Sequence, residues 1–139
     1  MKKTLILPFL LSVFTSMSVV TASSYDILAD MNAYRTKYNL QPLEEDTRLC
    51  ELAKLRTEEI KNDWSHKQFQ PEIDKMADMD GVFYENLART FEPKDVVWAW
   101  SMSKAGHKEA MLIPEMKYGC VAQSGDYYSF EGYIPGKGE

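Results

Sequence analysis

Apolar residues recur along this chain first at helical spacing and then, near its end, in alternation. Ile27, Met31, Tyr34 and Tyr38 stand four, three and four residues apart, which places them on one helix face and predicts a helix over residues 25–39. Asn39 ends it, and Leu40-Gln41-Pro42-Leu43 does not continue it. Asp46 offers a carboxylate to the free N–H groups of a second helix, on which Leu49, Leu52, Ala53, Arg56 and Ile60 share one side. The periodicity fails between residues 62 and 80, where Pro71 opens a short helical turn through Met76. Val82, Phe83 and Tyr84 read as a short extended piece that leads into Glu85-Asn86-Leu87-Ala88. Pro93 suits a helix start, Val96, Val97 and Trp100 form a third stripe, and a further helical stretch runs from Gly106 and His107 until Pro114 closes it.

The last third changes period. Residues 118–123 and 127–134 are rich in β-branched and aromatic types and are joined by Ser124-Gly125-Asp126, the pattern of a hairpin. Tyr128, Phe130 and Ile134 alternate with Tyr127, Ser129, Glu131 and Tyr133, which predicts one face toward a core. Helices followed by strands give an α+β fold with helices packed on an antiparallel sheet.

The first residues add a compartment. Lys2 and Lys3, an apolar run from Leu5 to Phe14 and the small residues Val20-Thr21-Ala22 read as a signal peptide, residues 1–22, cut after Ala22. Pro8 and the Ser/Thr-rich second half interrupt the roughly 20 apolar residues that a membrane span needs, so no stable anchor is expected after cleavage. The mature domain is then residues 23–139, secreted or periplasmic. Loss of the two lysines takes the net charge from −5 to −7, which argues against nucleic acid and anionic membrane surfaces as partners. Cys50 and Cys120 are the two cysteines. Outside the cytoplasm such a pair often oxidises, so a disulfide is expected, with two separate buried thiols as the alternative.

Several segments, in order, resemble the CAP superfamily of cysteine-rich secretory, antigen 5 and pathogenesis-related proteins. MNAYRTKYNLQPLEED resembles the opening helix and turn, LCELAKLRTEEI the second helix, and WSH the segment with the first family histidine. YENLA resembles the Gly-Glu-Asn motif, WSMSKAGHKEAMLIP the Trp…Gly-His segment, and YGCVAQSGDYYSF the closing strands. The resemblance, closest to bacterial members, implies a three-layer α-β-α sandwich around a small antiparallel sheet. It also implies a cleft formed by His66, Glu85, Ser103 and His107. Ser103 stands where animal and plant members carry a second glutamate, and Tyr84 replaces the Gly before Glu85.

His66 and His107 are the chain's two histidines, and both fall in matched segments. Two imidazoles can hold zinc or another divalent metal with an open position, so both are candidate metal ligands, although their local spacing carries no metal signal. Glu85 is the candidate general base for the alternative function, a metal-assisted, peptidase-like hydrolase. Ser101 and Ser103 are the nearest hydroxyls to His107 in sequence, but no third residue is evident to orient that histidine. The residues thus fill few of a hydrolase's roles. The expected function is an extracytoplasmic binding module for a small ligand, lipid, glycan or protein segment.

Overall fold

The computed structural model describes residues 25–137, so the expected leader, residues 1–22, lies outside the described residues. Helix α1, Ile27–Thr36, starts where Asp26 accepts the Ala29 N–H at 2.9 Å. It is shorter at both ends than its apolar spacing predicts, because residues 37–39 form a turn that finishes on Asn39 in the left-handed region (φ 57°). A two-residue strand, β1, Glu44–Glu45, precedes helix α2, Thr47–Glu59. Asp46 caps α2 as expected, accepting from the N–H groups of Arg48 at 2.8 Å and Leu49 at 3.4 Å.

A short helix α3, Phe69–Ile73, leads to strand β2, Gly81–Arg89. Pro71 sits within α3 rather than opening it. A 3-10 turn, Pro93–Asp95, starts helix α4, Val96–Met102, and helix α5, His107–Met111, follows. Strands β3, Tyr118–Ser124, and β4, Tyr127–Pro135, close the fold. Their tight connection places Gly125 at φ 62°, which a residue with a Cβ adopts reluctantly.

The sheet order is β1-β3-β4-β2. The expected antiparallel hairpin of β3 and β4 is extended by β2, which pairs with β4 over its whole length, from Gly81 opposite Pro135 to Arg89 opposite Tyr127. This ladder explains why β2 is longer than the three-residue extended piece read from the sequence. At the other side β1 pairs parallel with β3, which makes the four-stranded sheet mixed.

Helices cover both faces. On one, Ile27, Leu28 and Met31 of α1 and Val96, Val97 and Trp100 of α4 pack with Met111, Ala88, Tyr128 and Phe130. On the other, Leu49 of α2 packs with Met79, Cys120 and Tyr133. Strand β4 is therefore buried on both faces, and the expectation of a single core-facing side is corrected: Ser129 and Glu131 are both fully buried. The physical reason is α2, which lies over the face where a two-layer fold would meet water. Cys50 of α2 and Cys120 of β3 form the expected disulfide, which fastens this helix to the sheet across a separation of 70 residues.

One buried cation locks the opposite layer. Arg35, fully buried in α1, donates to the carbonyls of Gln41 at 2.9 Å, Met111 at 2.7 Å and Ile113 at 3.1 Å. The guanidinium thereby satisfies carbonyls at the end of α5 that no helix N–H reaches.

Candidate functional site

Glu85 and Asn86 are consecutive on β2, so the pleat sends their side chains to opposite layers. Glu85 faces α2. Arg56 meets it there, with Nε 2.6 Å from Oε2 and Nη2 3.2 Å from Oε1, a two-pronged pairing in which both side chains are 1% exposed. The same Nη2 donates to the Ser65 carbonyl at 2.9 Å, and Nη1 pairs with Glu59. Burial works against the charge on Arg56, but the hydrogen bonds to Glu85 and Glu59 outweigh it and raise its pKa. Through Ser65 the guanidinium also fixes the backbone just before His66.

His66 Nδ1 lies 2.7 Å from Glu85 Oε1. Because both carboxylate oxygens receive the guanidinium, Glu85 acts as acceptor and Nδ1 of His66 as donor, which leaves Nε2 as the ring's acceptor nitrogen. The imidazole remains half-exposed. His107 comes from the other layer. Gly106, at φ 93°, turns the chain between α4 and α5 in a conformation suited to glycine, and His107 opens α5. Asn86, 1% exposed, holds the His107 carbonyl through its Nδ2 at 2.9 Å. The two imidazole centroids stand 6.5 Å apart. Burial, and then the neighbouring His66, lower the pKa of His107, so its neutral, ligand-competent form is favoured.

The structure thus brings His66, Glu85 and His107 together. Ser103 is placed differently: its hydroxyl accepts the Ala105 N–H at 3.0 Å in the turn after α4, and it makes no hydrogen bond to either histidine among the described residues. Ser101 donates to the Trp98 carbonyl at 2.7 Å. Both hydroxyls are engaged with nearby backbone, as serines at helix ends often are.

Glu131 is the residue that sequence reasoning missed. It lies directly opposite Glu85 on β4, fully buried, and accepts from Ser129 Oγ at 2.6 Å through Oε1. Its Oε2 has no hydrogen-bond partner among the described residues. Burial and then the nearby Glu85 push its pKa well above the usual carboxylate value, which favours its neutral form. A protonated acid beside a guanidinium-bound carboxylate avoids two adjacent buried negative charges. The available signal was the expectation of helices on both faces, which requires both alternating sets on β4 to be covered.

His66 and His107 could offer two nitrogen ligands to a divalent metal of the zinc type, one fewer than the three protein ligands of a usual open zinc site. Tetrahedral geometry with zinc–nitrogen distances of about 2.0–2.1 Å puts two ring centroids about 5 Å apart. The observed separation of 6.5 Å is more than 1 Å longer, so the rings as placed stand too far apart to share such an ion. Glu85, already engaged on both oxygens, would support His66 from behind rather than act as a ligand. A separate close group, Glu45 with Cys50 and Cys120, offers no metal site, since its two sulfurs are bonded to each other. A hollow of about 700 Å³ lies beside that disulfide and is lined by neither histidine.

Comparison with known proteins agrees with this architecture. Residues 28–134 match the sequence model of the family described as CAP, the cysteine-rich secretory protein family. Among curated protein sequences, none matches the chain. Among solved structures, a cysteine-rich secretory protein from Staphylococcus aureus superposes with a TM-score of 0.69 at 17% identity, over 78% of this chain and 37% of that one. An outer surface protein from Borrelia burgdorferi gives 0.68 at 24% identity, over 79% of this chain and 90% of its own. An extracellular protein containing an SCP domain from Bacillus anthracis gives 0.68 at 19% identity, over 79% of this chain and 39% of that one. The chain therefore spans under two-fifths of the length of the Staphylococcus and Bacillus proteins, and at these identities the likeness concerns the fold.

Proposed function

The chain belongs to the CAP, or cysteine-rich secretory protein, family, and on that basis we propose that it is an exported binding module whose cleft takes a small ligand with a divalent metal between His66 and His107. The observation that carries this reading is the chain of contacts Arg56–Glu85–His66. A buried guanidinium fixes a buried carboxylate, and the carboxylate fixes the tautomer and tilt of a half-exposed imidazole. Such support behind a histidine is how proteins prepare a metal ligand, and losing it typically costs 10–100-fold in metal affinity. His107, kept neutral by burial, supplies the second nitrogen.

When bound, the metal would supply a Lewis-acidic centre with positions open to a ligand oxygen or nitrogen. The chain's own residues do the rest. Arg56 neutralises Glu85, Glu85 holds the proton on Nδ1 of His66, and Asn86 anchors the turn that presents His107. Export is supported by the disulfide, which suits an oxidising compartment, and by structural neighbours described as extracellular or as an outer surface protein. Among the described residues, no helix is long and apolar enough to cross a membrane.

Calorimetric titration of zinc into the chain lacking residues 1–22 tests the metal directly. The expected result is saturable heat that disappears in both His66→Ala and His107→Ala and weakens by about 10–100-fold in Glu85→Gln. Heat no greater than that of the histidine variants would remove the metal from the proposal.

A further inference from the structure

Beyond the histidine cleft, the loop that carries His66 builds a second recess. Ile60, Lys61, Asn62, Trp64, Arg89 and Tyr127 enclose about 370 Å³, a volume within the range of small-ligand clefts. Trp64 is 52% exposed, a large apolar area left in water, although tryptophan usually buries its rings. Its ring stands 6.0 Å from that of Tyr127 at 57°, so the two aromatics form an angled wall. The Arg89 guanidinium lies over Tyr127 at 4.9 Å and is held by Asp126 at 2.8 Å from its Nε.

The lining chemistry narrows the ligand. Lys61 pairs with Glu58 at 2.7 Å and Arg89 pairs with Asp126, so each cation already has an acidic partner and the recess offers no excess positive charge to a phosphate or other anion. A lipid chain is disfavoured too, because Lys61, Asn62 and Arg89 share the lining with the rings. What fits is an uncharged molecule with a flat C–H face and a rim of hydroxyls. A pyranose ring has this character: its axial C–H groups carry partial positive charge toward the negative face of the exposed Trp64, with Tyr127 standing at its edge. The Asn62 amide and the Arg89–Asp126 pair supply donors and acceptors at the edge for hydroxyl groups.

We propose that the recess formed by Trp64, Tyr127, Asn62 and Arg89 is a carbohydrate subsite for a neutral pyranose unit. It rests on the reading of the chain as a binding module but not on a metal in the cleft. Trp64 and His66 lie two residues apart, so a sugar on the shelf would sit beside the same short loop that carries the cleft histidine.

The test is titration of the chain lacking residues 1–22 with cellotetraose, chitotetraose and maltotetraose, followed by tryptophan fluorescence and calorimetry. At least one of the three tetrasaccharides should bind. Affinity should fall at least about tenfold in Trp64→Ala and in Tyr127→Ala, should be partly kept in Trp64→Phe, and should be unchanged in His66→Ala and His107→Ala. Circular dichroism of Trp64→Ala should match the parent, since this side chain is half-exposed. No binding by any of the three sugars at 10 mM, on the order of the weakest useful affinity, would overturn the subsite. So would binding that survives Trp64→Ala intact. Binding lost in the histidine variants but retained in Trp64→Ala would place the sugar in the cleft, overturning the shelf while leaving the binding-module reading standing. Zinc heat without sugar binding would likewise separate the two.

Discussion

Replacing Arg56 by Met tests how the cleft is held together. The guanidinium and the Glu85 carboxylate are each 1% exposed, so removing the cation leaves a buried carboxylate with only the half-exposed His66 as its partner. Such a loss costs about 3–5 kcal/mol, far more than the pair itself contributes relative to apolar replacements. The contact with Glu59, whose side chain is 25% exposed, contributes less, and Glu59→Gln should cost no more than about 1 kcal/mol. For a domain slightly over 100 residues, 3–5 kcal/mol corresponds to about 12–20 °C in Tm. Urea unfolding followed by far-ultraviolet circular dichroism, with the disulfide intact, measures the change directly. The double variant Arg56→Met with Glu85→Leu should recover more than half of the loss, because neither charge is then left buried alone. Its zinc affinity should be about 10–100-fold weaker than the parent's, since His66 has lost its support. A cost below about 1 kcal/mol in Arg56→Met, or no recovery in the double variant, would refute the claim that this cation exists to compensate Glu85.

Two further predictions concern the sheet. Glu131 holds its proton above the ordinary value of 4.5, so the folded protein binds a proton that the unfolded chain releases once pH exceeds that value. Its contribution is fully present below pH 4.5 and is lost as pH rises through the folded pKa. Thermal melts of Glu131→Gln, which stays neutral throughout, should show a smaller decline of Tm with rising pH than the parent, and parallel profiles would count against a protonated Glu131. Reduction of the disulfide, or Cys50→Ser with Cys120→Ser, should remove about 4 kcal/mol by releasing a 70-residue loop, read from urea midpoints with and without reductant. A change under about 1 kcal/mol would mean that α2 is held to β3 by packing alone.

Much of this fold could be read from residue spacing, and the parts that could not have identifiable causes. The stripes of α1, α2 and α4 are local patterns, and the Asp46 cap acts over two or three residues. Arg56 was visible as a charged residue on an otherwise apolar helix side, a sign that it meets a partner in the interior. Glu85 could not be matched to it from the sequence, because the pairing depends on how α2 crosses the sheet. Strand β1 is two consecutive glutamates, both exposed, and exists through parallel pairing with β3 rather than through any residue preference. Glu131 occupied the polar half of an alternating run, where water is the usual neighbour, until a second helical layer replaced the water. The meeting of His66 and His107 is likewise tertiary: one follows α2, the other begins α5, and only the fold brings their rings within 6.5 Å.

The adjacency of Glu85 and Asn86 has a consequence for how such a protein can change over generations. Their division of labour is a matter of odd and even positions along β2. Inserting or deleting a single residue upstream within that strand would exchange the two roles, sending the carboxylate among the apolar side chains of α1 and α4 and stranding Arg56. A two-residue change preserves the parity but shifts the carboxylate by almost 7 Å along the strand, away from its cation. The length of this strand is therefore constrained by the two buried groups it carries. Variants that keep the two buried groups paired should carry no single-residue insertion there.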